Sequence, residues 1–293
     1  MLNELSRGTA IGCCALFVGG CAYLSSIGSD DLPDATLSGP LADETGPSDP
    51  IAMTDSEPAL TMDKVIPPGA IEKAIADPTR LAEDLERDET RKPYDVMVFA
   101  GIEAGQTILE LGAEGGYFTE LFSRAVGPTG RIYMHNRPAL NSVLDDEVNE
   151  RLAGRLSNVT VVKTSFNRLP LAEGTADIVT WFQGPHELWF GADDGDALAD
   201  PEAAFSAIAR VLKPGGRLVV LDHRAAAGTP AASGGDTHRI DPQIVLDLAQ
   251  EAGLVVAGES NILRSTSDDP TLDVLDDRVR GRTDQFLVAF RKP

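Results

Sequence analysis

Gln106-Thr107-Ile108-Leu109-Glu110-Leu111-Gly112-Ala113-Glu114-Gly115-Gly116-Tyr117 is the stretch on which the reading of this chain turns. A short apolar run leads into a turn carrying Gly112, Gly115 and Gly116. Beyond it, Tyr117–Val126 places Phe118, Leu121 and Phe122 at helical spacing. The order is buried strand, tight turn, helix. Glycine allows the sharp turn and lets the backbone come close to a ligand. The helix start adds unpaired N–H groups and the positive end of its dipole, so an anionic group belongs at this turn.

Outward from the turn, short apolar runs alternate with amphipathic ones. Strands are predicted at Arg131–His135, Val159–Lys163, Ala176–Phe182 and Arg217–Asp222, with two more at Leu254–Leu263 and Gln285–Arg291. Helices are predicted at Ala139–Leu156, Pro201–Leu212, where Lys213-Pro214-Gly215-Gly216 stops the run, and Pro242–Ala252. Upstream, helical patterns cover Ile71–Ala76, then Thr79–Lys92 with Leu81 and Leu85 at i, i+4, then Tyr94–Ala100 behind a first-turn Pro93. This alternation predicts an α/β fold: a Rossmann-like, mostly parallel seven-stranded sheet with helices on both faces.

The totals narrow the function. The 293 residues carry a formal net charge of −21, which repels a phosphate backbone, so nucleic acid is not an expected partner. Cys13, Cys14 and Cys21 all lie in the first apolar stretch, leaving the rest of the chain without disulfides or thiolate metal sites.

That first stretch, Thr9 to Val18 behind Arg7, resembles the apolar region of a secretory signal. Val18-Gly19-Gly20-Cys21 resembles a bacterial lipobox, which implies lipidation at Cys21 and a periplasmic-side lipoprotein. An uncleaved anchor that tethers a cytoplasmic domain stays open, since Ala22, Tyr23, Leu24 and Ile27 extend the apolar run, although Gly12, Gly19 and Gly20 make a poor helix. A cleaved ordinary signal is the third alternative. The chain thus divides into a signal or anchor at 1–21, an acidic, proline-punctuated linker at 22–68 that is expected to be disordered, and one domain at 69–293.

Three segments of that domain carry a resemblance. Ile108-Leu109-Glu110-Leu111-Gly112-Ala113, Leu169-Pro170-Leu171-Ala172-Glu173-Gly174-Thr175-Ala176-Asp177-Ile178-Val179 and Ala209-Arg210-Val211-Leu212-Lys213-Pro214-Gly215-Gly216-Arg217-Leu218 resemble, in order, the motifs of class I S-adenosylmethionine-dependent methyltransferases. Arg91-Lys92-Pro93, Gly115-Gly116-Tyr117-Phe118-Thr119, His186-Glu187, Asp222-His223-Arg224, Thr237-His238-Arg239-Ile240-Asp241 and Thr283-Asp284-Gln285-Phe286 are similar to features of a bacterial group of predicted, poorly characterised methyltransferases. The resemblance implies a C-terminal antiparallel hairpin, S-adenosylmethionine as cofactor and methyl transfer to a small-molecule acceptor. Glu110, Gly112, Ala113, Glu114, Gly115, Gly116 and Tyr117 would surround the methionine end of the cofactor. Asn136 would face its ribose, Ser165 and Phe166 its adenine, and Gln183 the methyl donor.

Two departures stand out. Asn136 holds a position usually given to a carboxylate, and an amide accepts only through its oxygen. Glu114 replaces the usual middle glycine, where it brings backbone strain if φ is positive and a charge that opposes the cofactor's carboxylate.

His186 and His223 follow the fourth and fifth strands, at the carboxyl ends where open α/β sheets bind ligands. They are the candidate catalytic residues, with Glu187, Asp222, Arg224 and His238 expected nearby. Trp181, Phe182, Trp189 and Phe190 are read as core and cleft lining. The histidine and carboxylate spacing fits no standard zinc pattern, so no metal is expected. Arg278, Arg280 and Arg282 form a solvated loop or an anion clamp. The rival to an enzyme is an exported ligand-binding or interaction module on the same fold without methyl transfer. A nicotinamide enzyme is disfavoured by the Leu-Pro and Lys-Pro-Gly-Gly segments. The oligomeric state is not encoded in any pattern seen.

Overall fold

The computed structural model describes residues 69–138, 141–189 and 199–293. The signal, Cys21 and the linker at 22–68 therefore lie outside the described residues, as does Phe190.

Alternation along β1 (Thr107–Leu111) sets up the layers. Ile108 packs to one side with α1 (Ala70–Ile75), α3 (Pro93–Ala100) and α4 (Tyr117–Val126), through Ile71, Val96, Met97, Leu121 and Phe122. Leu109 and Leu111 pack to the other side with α6 (Pro201–Val211) and α7 (Pro242–Glu251), through Phe205, Ile208 and Val245. Both faces of the strand are dry, and each large apolar side chain so buried contributes about 1.5–3 kcal/mol. That is why the strand reads as a continuous apolar run rather than an alternating one.

The other strands are β2 (Arg131–Asn136), β3 (Val159–Lys163), β4 (Ala176–Phe182), β5 (Leu212–His223), β6 (Val255–Ser260) and β7 (Gln285–Arg291). Their order is β3-β2-β1-β4-β5-β7-β6. The first five are parallel, and β7 runs antiparallel to both β5 and β6. The seven-stranded, mostly parallel sheet and its C-terminal antiparallel pair match the expected architecture. The sheet reverses its winding between β1 and β4, so their carboxyl ends face a crevice suited to a ligand.

Several boundaries differ from expectation. β5 begins at Leu212, directly after α6, so Lys213-Pro214-Gly215-Gly216 enters the strand instead of forming a separate turn. β6 ends at Ser260, not Leu263. The helix α2 spans Ala82–Arg91 rather than Thr79–Lys92, and its Leu85 is 50% exposed. The buried residue of α2 is Asp84. Its inner face is organised by ion pairs, which hydrophobic periodicity cannot register. The helix α5 spans Asn141–Leu152. None of the helices among the described residues is long and apolar enough to cross a membrane.

Candidate functional site

The turn after β1 holds three left-handed residues: Gly112 (φ +59°), Glu114 (φ +51°) and Gly116 (φ +84°). Glycine adopts this conformation freely; glutamate does so at a cost. Asn136, at the end of β2 and buried, supplies the compensation. Its Oδ1 accepts from the Glu114 N–H at 2.7 Å, and its Nδ2 donates to the Glu114 carbonyl at 2.9 Å. The amide is thus committed to bracing the loop. Arg151 of α5 donates to the Gly115 carbonyl from the opposite side. A Cβ on Gly116 would meet the Arg151 and Met134 side chains at 2.9 Å, so the close approach of these neighbours requires glycine there.

Beside this loop lies a cleft of about 330 Å³. One lobe is formed by Glu110, Gly112, Ala113, Glu114 and Tyr117, roofed by Arg87 and Arg91 of α2. The other lobe is largely apolar, from Phe182, Leu221, Leu263, Val274 and Leu275, with Gln183, His223, Thr283 and Gln285 as polar groups and Arg280 on the wall. The Arg91 guanidinium lies 4.6 Å from the Tyr117 ring centre, a cation–π contact. The Tyr117 hydroxyl donates to Asp88 at 2.6 Å.

The charges in the first lobe are strained by burial. Glu110 is 3% exposed and accepts from the Thr119 hydroxyl; burial nevertheless pushes its carboxyl up to about 8. Burial, with Glu187 as a like charge, pushes Glu114 up to about 7. Burial and then Arg87 bring Arg91 down to about 10.

Behind the second lobe sits a buried cluster on Asp222. His186 Nδ1 lies 2.7 Å from Asp222 Oδ1, and the His186 N–H donates to Oδ2 at 2.9 Å. The His223 N–H donates to Asp222 Oδ1 at 2.8 Å, while its Nδ1 lies 2.8 Å from the Thr283 hydroxyl. Burial opposes the charged form of His186, but the Asp222 carboxylate outweighs it and raises the imidazole. Burial brings His223 down to about 3, so its ring is neutral at physiological pH. His238 sits 5.7 Å from the His186 ring and pairs with Asp273 at 3.0 Å. Glu187 pairs with Arg137 at 3.3 Å.

The structure therefore brings Glu110, Gly112, Ala113, Glu114, Tyr117, Gln183 and His223 to one cleft. Gly115 and Gly116 belong to the same turn but face α5. His186 is buried behind the cleft. Ser165 and Phe166 lie beside the end of β2, with the Phe166 ring 4.8 Å from Trp181 and 5.1 Å from His135, apart from the 330 Å³ space. Arg224 turns away from the cluster and lines a separate cavity with Asp241, Asp268 and Asp284. Of the terminal arginines, Arg280 reaches the cleft, whereas Arg278 pairs with Asp276 at 2.7 Å. The cleft residues Arg87, Arg91, Thr283 and Leu263 were not singled out as site residues by sequence reasoning. Arg91 and Thr283 did stand inside quoted motifs, and that was the available signal. Among the described residues no group of histidines and carboxylates is arranged to hold a metal ion.

Residues 109–220 match the model of a methyltransferase domain. Over 125 residues the chain is 36% identical to the ubiquinone/menaquinone biosynthesis C-methyltransferase UbiE of Klebsiella pneumoniae, covering 42% of this chain and 45% of that one. It is 32% identical to the protein of the same name from Salmonella arizonae over 157 residues, 52% of this chain and 57% of that one. The chain spans about half the length of the curated relatives it matches. Among solved structures, a SAM-dependent methyltransferase from Aquifex aeolicus superposes with a TM-score of 0.52 at 22% identity, covering 77% of this chain and 98% of that one. Geranyl diphosphate C-methyltransferase from Streptomyces coelicolor, solved with S-adenosyl-L-homocysteine, gives 0.51 at 17% identity over 75% and 84%. These structural likenesses speak for the fold. The motif turn and the sheet order agree with these likenesses, and residues 109–220 are the part of the chain that is similar to a methyltransferase domain.

Proposed function

We propose that this chain transfers a methyl group from S-adenosylmethionine to a small-molecule acceptor held in the second lobe of the same cleft. The observation that carries this reading is a single cavity that joins the glycine-rich loop to an apolar lobe with a few convergent polar groups. The residues present suit the cofactor. The loop offers backbone at close range, and Arg87 and Arg91 supply positive charge for a carboxylate. When bound, the cofactor supplies an electrophilic methyl on a sulfonium.

The protein's own share is positioning. Methyl transfer is an in-line displacement whose rate follows from alignment. Phe182, Leu221, Leu263, Val274 and Leu275 would hold an apolar body and exclude water. Gln183, Gln285 and the His223–Thr283 pair would fix its polar end. His223 at about 3 is too weak a base to retain a proton near neutral pH, so its task is hydrogen bonding. His186 and Asp222 act as positioning residues that hold His223 through the shared carboxylate. The curated relatives are by name C-methyltransferases of ubiquinone/menaquinone biosynthesis. A quinone-related ring, apolar with oxygen at its edge, suits this lobe, and we extend that acceptor class to this chain. We also propose that Cys21 is lipidated and that 22–68 tethers the domain to a membrane, on the strength of the lipobox-like Val18-Gly19-Gly20-Cys21.

Calorimetry with S-adenosylmethionine and S-adenosylhomocysteine, followed by a turnover assay on a quinol, tests the reading. Binding with turnover supports it. Binding without turnover on any acceptor favours a non-catalytic module. No binding of either nucleoside sinks the enzyme.

A further inference from the structure

We propose that Glu114 is the counter-ion for the α-ammonium of the cofactor, so that the glutamate in place of glycine is a ligand-binding group and not an obstruction. This rests on the reading that S-adenosylmethionine occupies the cleft beside the loop.

Three observations carry it. First, the backbone of Glu114 is held in the left-handed region at φ +51° by both hydrogen bonds of the Asn136 amide. A strained residue so firmly held has its side chain aimed by the fold. Second, that side chain lines the 330 Å³ cleft. Third, the carboxylates of the first lobe are not equivalent. Glu110 already accepts the Thr119 hydroxyl. The Glu114 carboxylate makes no hydrogen bond and no ion pair with any described residue.

The charges around Glu114 come from every side. Arg87 and Arg91 act on it from α2 and Glu187 and His186 from the turn after β4, while Glu110, His223 and Arg280 line the same cleft. Burial and the Glu187 charge outweigh the arginines, and the carboxyl titrates near neutrality at about 7. A carboxylate that is costly to ionise alone becomes favourable once a cation pairs with it. The end of the cofactor to be bound is a zwitterion. Arg91 and Arg87 suit its carboxylate, and Glu114, across the lobe, suits its ammonium. A charged donor on a charged acceptor is the stronger kind of hydrogen bond.

The test is calorimetric and needs no acceptor. Two nucleosides are compared: S-adenosylhomocysteine, which carries the ammonium, and 5′-methylthioadenosine, which lacks the amino-acid end. The wild type should bind S-adenosylhomocysteine more tightly as pH rises from 6 to 8, with release of a proton. Glu114→Gln should weaken it about tenfold or more, flatten that pH dependence and leave methylthioadenosine unchanged. Glu114→Gly, which relaxes the turn and so folds, should show the same selective loss. If Glu114→Gly binds S-adenosylhomocysteine as tightly as the wild type or more so, the proposal is overturned while the methyl-transfer reading survives. If the wild type binds neither nucleoside, both fall together.

Discussion

Glu114 and Asn136 illustrate how one substitution is accommodated by another residue 22 positions away. Glutamate in the left-handed region costs roughly 1–2 kcal/mol relative to glycine. Glu114→Gly should therefore raise the unfolding free energy by about 1 kcal/mol, seen as a higher Tm. Asn136→Ala should lower it by about 2 kcal/mol, because the buried Glu114 N–H and carbonyl lose their partners together. The glycine pattern announced the turn, and Glu114 could be marked as a departure from sequence alone. The role of Asn136 could not, since it depends on a strand ending opposite the loop, which no local pattern encodes. The histidines behave likewise. His223 is lowered to about 3 by burial, so the folded state resists a proton that the unfolded chain accepts near 6.5. Its contribution to stability is present above that unfolded value and is lost as pH falls from 6.5 towards 3. His223→Gln should make the fall in Tm over that window shallower. His186, raised by Asp222, works in the opposite sense: its contribution is full below 6.5 and fades as pH rises through its higher folded value.

The helix α2 shows why an element can be predicted while its purpose stays hidden. Leu81 with Leu85 at i, i+4 predicted a helix with an apolar inner face. In the structure Asp84 faces inward and meets Arg151 at 2.5 Å, and Arg151 also reaches Glu120 at 3.0 Å. Arg151 is 1% exposed. A second latch joins Asp88 to Arg80 at 2.7 Å and to the Tyr117 hydroxyl. Through these pairs α2 carries Arg87 and Arg91 over the cleft, and Arg151 holds the Gly115 carbonyl at the same time. Removing one member of such a buried network leaves uncompensated charge. Arg151→Met should cost about 3–5 kcal/mol in denaturant unfolding. It should also speed amide exchange selectively in α2, and a uniform acceleration across the sheet would count against this latch. The strands, by contrast, were plain from sequence, because a doubly covered parallel sheet demands continuous apolar runs.

For the molecule as a whole, the sheet was predictable in kind: five parallel strands with alternating helices follow from the connection rules, and the final antiparallel pair came with the resemblance. The proposed membrane tether is a separate matter, resting on the sequence of residues 1–68. Cys21→Ser should move the protein from the membrane fraction to the soluble one, and mass spectrometry of the native N-terminus should find a lipidated cysteine. Unlipidated protein retained on the membrane would point to the uncleaved anchor instead. The cleft, finally, is assembled from distant parts of the chain. Its glycine-rich loop lies inside the stretch that matches a methyltransferase domain, residues 109–220. Leu263, Val274, Leu275, Thr283 and Gln285, which shape the other lobe, all come after that stretch. Phe182, Gln183, Leu221 and His223 complete that lobe from the ends of β4 and β5. On the proposed function, the segment between β6 and β7 could change the acceptor lobe without touching the glycine-rich loop. Grafting a relative's segment between residues 261 and 284 should transplant acceptor choice and leave donor affinity where it was.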